Sequence, residues 1–119
     1  MAAPNIVGVT AIYGRTNVAN ITTVSTNVVV NSVGSGQVFK INSLYVANVD
    51  GANTADITVE YYKGAEVRDI AKTITVPADA TLVVISKDAA IYLEEGDYLR
   101  LQASANNDLE GIISYEVIS

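Results

Sequence analysis

Carboxylates are the residues of this chain with the most chemical potential, and they gather in a few dense places. In the run from Asp50 to Asp56, the side chains of Asp50, Asn53 and Asp56 place oxygen atoms around a turn, which is the donor type that calcium takes. A complete calcium site needs about six to eight oxygens, and this spacing fits no EF-hand loop. The same residues are what an ordinary Asx turn requires. Asp50, Asn53 and Asp56 therefore stand as a weak metal candidate beside a plain structural reading. Glu94-Glu95-Gly96-Asp97, set between Leu93 and Leu99, reads as a solvated hairpin turn. Two carboxylates flanking a sugar would need an aromatic stacking surface, and the chain has no Trp.

Other chemistry lacks its reagents. With no His among the 119 residues, the usual general base near neutral pH is missing, and with no Cys there are no thiolates for a metal or a disulfide. No Gly-rich loop carries a phosphate-binding lysine, and no Ser sits in a nucleophile elbow. The expectation is a non-enzyme with no catalytic residues, no cofactor and no small-molecule substrate. The 13 acidic and 7 basic side chains give a net charge of −6, and Arg15, Lys40, Lys63, Arg68, Lys72, Lys87 and Arg100 are scattered. Binding a phosphate backbone depends on clustered cations that displace counterions, so neither nucleic acid nor an anionic membrane surface is an expected partner.

The elements behind these residues are strands. Turn chemistry recurs at Val33-Gly34-Ser35-Gly36, Val49-Asp50-Gly51-Ala52-Asn53, Lys63-Gly64-Ala65-Glu66, Pro77-Ala78-Asp79, Glu94 to Asp97 and Asn106-Asn107-Asp108. Turns at that spacing mark a β-sandwich or barrel. Asp50-Gly51 in particular predicts a tight hairpin with positive φ at the glycine. Between turns the side chains alternate: Ile57, Val59 and Tyr61 against Asp56, Thr58 and Glu60, and Leu109, Ile113, Tyr115 and Val117 against Glu110, Ser114 and Glu116. Ile70, Ile74 and Val76 share one face by the same count. One dry and one wet face per strand means two antiparallel layers. The phase slips from Phe39 and Ile41 to Leu44 and Val46, predicting a bulge near Asn42-Ser43. Leu82-Val83-Val84-Ile85 is apolar on both parities and predicts a central strand covered on both sides. At four residues it is far short of the roughly 20 needed to cross a bilayer.

One domain suffices for this length. Within it, residues 34–119 form the sandwich core. Residues 1–33, rich in Thr, Asn and Val, read as an edge hairpin or as an extended arm that pairs with a neighbouring subunit. Thr16-Asn17-Val18 recurs there as Thr26-Asn27-Val28. The start, Met1-Ala2-Ala3-Pro4-Asn5, lacks the basic and apolar regions of a secretory signal, so synthesis in a cytoplasm is expected. Seven Tyr stand against one Phe. Tyr suits a surface dry on one side and wet on the other, which makes Tyr13, Tyr62, Tyr92 and Tyr98 interface candidates. Tyr61 and Tyr62 must face opposite layers, so only one enters the core.

The run Ile74-Thr-Val-Pro77-Ala-Asp79-Ala-Thr-Leu-Val-Val-Ile85-Ser-Lys-Asp88-Ala-Ala-Ile91-Tyr-Leu-Glu-Glu-Gly96-Asp97 resembles the small virion structural proteins of tailed cyanophages and related marine phages. Ala3-Pro4-Asn5-Ile6-Val7 and Ser114-Tyr115-Glu116 are similar too, so the resemblance spans nearly the whole chain. It implies an antiparallel, jelly-roll-like β-sandwich of about eight strands, present in many copies on a virion. It also implies a capsid decoration or cement role, as a homo-oligomer, with a trimer the first guess, seated on the major capsid protein or other virion proteins. Neck, tail or fibre placement is the near alternative, and a glycan-binding host-attachment module is the alternative from another class.

Overall fold

A computed structural model describes residues 8–119. Residues 1–7, which carry the leader reading and the N-terminal part of the resemblance, lie outside the described residues. Among the described residues nine strands run in chain order: β1 (Ile12–Ile21), β2 (Thr26–Val30), β3 (Val38–Asn48), β4 (Ala55–Lys63), β5 (Glu66–Val76), β6 (Thr81–Ile85), β7 (Ile91–Leu93), β8 (Tyr98–Ala103) and β9 (Leu109–Ile118). They form two antiparallel sheets. Sheet A has the order β1-β9-β3-β6, with β7 also on β3, and sheet B has the order β2-β8-β4-β5.

β6 pairs with Leu44–Ala47 of β3 and β7 with Phe39–Ile41, so the two are halves of one strand broken by a 3-10 turn at Lys87–Ala89. Counted so, the sandwich has eight strands in the interleaved order of a jelly roll. Among the described residues only β4 and β5 are hairpin neighbours, joined at Lys63–Glu66 where Gly64 takes φ +60°.

β1 pairs with β9 and β2 with β8, so the two Thr-Asn-Val copies lie on edges of opposite sheets and do not form a hairpin with each other. The Asp50-Gly51 segment likewise carries the chain from sheet A to sheet B, and Gly51 is not among the positive-φ glycines. Its turn is set by Asp50, whose carboxylate accepts from the backbone N–H of Ala52 (2.8 Å) and Asn53 (3.1 Å). The Glu94–Asp97 turn also crosses between sheets, and Asp97 is buried, which corrects the solvated-hairpin reading.

The core follows the alternation. Ile41, Leu44 and Val46 of β3, Ile57 and Val59 of β4, Leu99 of β8, and Leu109 and Ile113 of β9 are fully buried between the sheets. Gly111 occupies the inward position between the last two. A Cβ there would come within 3.2 Å of Leu101 and 3.3 Å of Ile21, so the missing side chain makes room for both against the strand. The slip between Ile41 and Ser43 in the β3–β9 register is the bulge that the phase change predicts.

Two strands depart from expectation. β6 is the edge of sheet A, not a central strand: Leu82 and Val84 pack on the core while Val83 is 51% exposed. In β5, Val76 is buried and Ile70 packs on the core, but Ile74 is 42% exposed. The β4–β5 register slips twice beyond Ile57, and Thr73 takes φ +47°, so the simple two-residue count fails there.

Candidate assembly surfaces

Cross-strand register assigns every outward side chain of sheet A to a row. Val18 of β1 stands opposite Ile112 of β9, Ile112 opposite Tyr45 of β3, and Tyr45 opposite Val83 of β6. This apolar row crosses the whole sheet, and its members are 78, 44, 41 and 51% exposed. Polar rows flank it. On one side lie Thr16, Ser114 and Ser43, followed by Gly14, Glu116, Lys40 and Tyr92; on the other lie Asn20, Glu110, Ala47 and Thr81. Lys40 and Glu116 are cross-strand partners, and Asn42 at the bulge donates its Nδ2 to Glu116 Oε2 at 3.0 Å.

The outer face of sheet B carries a different group. Tyr62 of β4 stacks on Tyr98 of β8, with ring centroids 4.6 Å apart and planes 13° from parallel. The Arg100 guanidinium lies 5.1 Å from the Tyr62 centroid, and its Nε donates to Asn27 Oδ1 at 2.7 Å. Val67 and Val30 complete that row on the two edge strands. Both tyrosines are half-buried because they cover each other and the arginine.

The four tyrosines singled out from sequence thus fall in separate places. Tyr62 and Tyr98 come together on sheet B, Tyr92 stands beside Lys40 on sheet A, and Tyr13 is 58% exposed on edge strand β1. Tyr45, which the sequence reading did not select, lies in the apolar row. Its signal was available: it is out of phase with Leu44 and Val46 yet apolar in body. Tyr61 is the one of the adjacent pair that packs on the core.

The Asp50, Asn53 and Asp56 group does not assemble as a cation site. Asn53 turns its amide nitrogen toward Asp50 (3.2 Å), while Asp56 accepts from the Thr75 hydroxyl at 2.9 Å on sheet B. Among the described residues no group of three or more Asp, Glu, His or Cys is placed to hold a metal. Asp50 and Asp108 do sit together. Backbone N–H donors, Ala52 first, hold the Asp50 carboxyl below its ordinary value, whereas lost hydration and the Asp50 charge push Asp108 up.

Three buried polar residues escaped the sequence reading. At one end of the sandwich Asn31 donates to the carbonyls of Gln37 (2.9 Å) and Leu93 (3.0 Å) and accepts from the Ser35 hydroxyl. At the other end Asn48 donates to the carbonyls of Asn53 (3.0 Å) and Val76 (2.9 Å) and accepts from the Asp50 N–H. Asp97 accepts from Tyr61 Oη at 2.6 Å, from Lys63 Nζ at 3.2 Å and from the Glu94 N–H at 3.0 Å. Burial, and then the Asp97 carboxylate, push the Tyr61 hydroxyl above its ordinary range. Each of these residues ties one sheet to the other.

No family model matches the chain, and no curated protein does. Among solved structures, a subunit from Bacillus endospore appendages, described as a novel family of disulfide-linked pili, is similar over 99% of this chain and 95% of its own, with a TM-score of 0.50 and 12% identity. At that identity the likeness is one of fold. Among the described residues no helix is long and apolar enough to cross a membrane.

Proposed function

We propose that this chain is a non-enzymatic structural subunit that works by surface packing in a many-copy assembly, as a decoration or cement protein on a virion capsid. The apolar row Val18–Ile112–Tyr45–Val83 carries the reading. An exposed, contiguous apolar patch rimmed by polar residues is the mark of a contact surface. A row aligned by register across a whole sheet presents it as one flat strip. The sequence likeness to virion structural proteins supports the particle, and the fold shared with an appendage subunit supports assembly in general.

The appendage likeness also supports a second reading, a tail, fibre or filament subunit. Linkage through disulfides is not open to this chain, which has no Cys, so its contacts must rest on packing and backbone pairing. Fractionating the particles and measuring the chain against the major shell protein separates the two readings. Capsid decoration requires an amount proportional to the shell protein, whereas a neck, tail or fibre part is present far below it. A chain recovered only free of any particle defeats both. The cement role has its own check: particles stripped of the chain should lose heat stability and regain it when the chain is added back.

A further inference from the structure

From the pattern of rows on sheet A we infer that the partner of this face is a second copy of the same face, related by a two-fold axis running parallel to the strands between β9 and β3. The inference rests on the assembly reading above and names the occupant. Such an axis reverses the strand order of the facing sheet while keeping each row opposite itself. β1 then meets the partner's β6 and β9 meets the partner's β3. Two sheets packed face to face in this way lie about 10 Å apart with nearly aligned strands.

The rows match under that operation. In the apolar row, Val18 meets Val83 and Ile112 meets Tyr45. In the next row Ser114 meets Ser43. One row further, Glu116 meets Lys40 and Lys40 meets Glu116, so both charges find an opposite charge. Gly14 meets Tyr92 in that same row, the largest side chain against open space, since a Cβ at Gly14 would meet nothing within 4 Å. On the other side of the apolar row Glu110 meets Ala47 and never another carboxylate.

Charge also selects a second copy over a charged partner. The molecule carries −6, yet these rows hold one lysine and two glutamates, and the lysine stands opposite one of them in the strand register. Repulsion between copies across this face is therefore small. An isologous contact demands this kind of self-complementarity. A stable contact takes about 800 Å² from each partner, and the flanking serine and charged rows on the same sheet extend the strip toward that area.

The test is sedimentation velocity on the purified chain at micromolar concentrations, with far-UV circular dichroism and melting curves as controls for folding. The wild type is expected to sediment as a dimer, and Ile112→Asp as a folded monomer. Lys40→Glu and Glu116→Lys should each weaken the homodimer at least tenfold, since each sets like charges across the axis. Mixing those two variants should restore a dimer containing one of each, seen by native mass spectrometry. Pairing on mixing cannot come from repair of the cross-strand pair within one chain, because neither chain regains it. A wild type that stays monomeric overturns the inference, and so does a dimer that survives Ile112→Asp unchanged. If the single charge variants fail to fold, the doubly swapped K40E/E116K chain decides: dimeric as expected, or monomeric and against the inference. A monomeric wild type that still copurifies with a particle would sink this pairing and leave the assembly role standing. A dimer through this face that belongs to no particle would do the reverse.

Discussion

Asn31 and Asn48 hold corresponding posts at opposite ends of the sandwich, each engaging both its amide nitrogen and its oxygen. A buried group left without its partner costs its full desolvation. Replacing Asn48 by Ala strands the carbonyl of Val76 and the N–H of Asp50, and the expected loss is about 2–3 kcal/mol in urea unfolding. Tyr61→Phe removes the hydroxyl from Asp97 but leaves Lys63 and the Glu94 N–H in place, so about 1–2 kcal/mol is expected. The Asp50–Asp108 pair gives a test with the opposite sign. Asp108 holds its proton more tightly in the folded protein than its ordinary 3.8, so its contribution to stability falls as pH rises through that raised value. Asp108→Asn should raise the melting temperature at neutral pH, with the gain disappearing once the pH drops below 3.8 and the wild-type carboxyl is neutral.

Among the elements, β6 is the most instructive. Its four aliphatic residues have the composition of a strand buried on both faces, yet only Leu82, Val84 and Ile85 touch the core. Alternation shows which side chains share a face, but an apolar residue on the outer face looks the same whether its own fold or another molecule covers it. The strands and turns were legible for the complementary reason: wet-dry alternation and turn residues are local properties, as is the phase slip at Asn42-Ser43. The sheet to which a strand belongs is not local, and the first two strands were misjoined for that reason. Asn31, Asn48 and Asp97 stayed hidden because polar residues next to turns ordinarily face water. Val84→Asp should lower the unfolding midpoint sharply, by several kcal/mol, whereas Val83→Asp should leave the monomer within about 0.5 kcal/mol of wild type. Gly111→Ala belongs with the first kind: the crowding against Leu101 and Ile21 should cost about 1–3 kcal/mol.

At the scale of the whole molecule, the jelly roll leaves two broad outer faces of different character. Sheet A offers the flat apolar strip, and sheet B offers the Tyr62–Tyr98–Arg100 stack, which is already partly self-covered. A chain with one face for its own kind and another for the underlying particle would add contacts through multivalency, so that weak individual contacts hold a large body firmly. Tyr98→Ala should therefore leave the solution state of the purified chain unchanged and lower its retention on particles, measured by pelleting them at increasing salt. Equal retention of variant and wild type would remove sheet B from the account.

The pairing of β1 with β9 has one more consequence, for biosynthesis. Thr10 hydrogen-bonds Ser119 across a separation of 109 positions, and among the described residues β1 pairs with β9 alone. During synthesis β1 therefore waits for β9, the more C-terminal strand, before it gains its ladder, and that edge of sheet A cannot close piecemeal behind the emerging chain. Non-local topologies of this kind fold on the millisecond-to-second scale. Until then the nascent polypeptide displays unpaired backbone beside Val18 and Ile21, so its yield in a cell should depend on translation speed and on holdase chaperones more than its final stability would suggest.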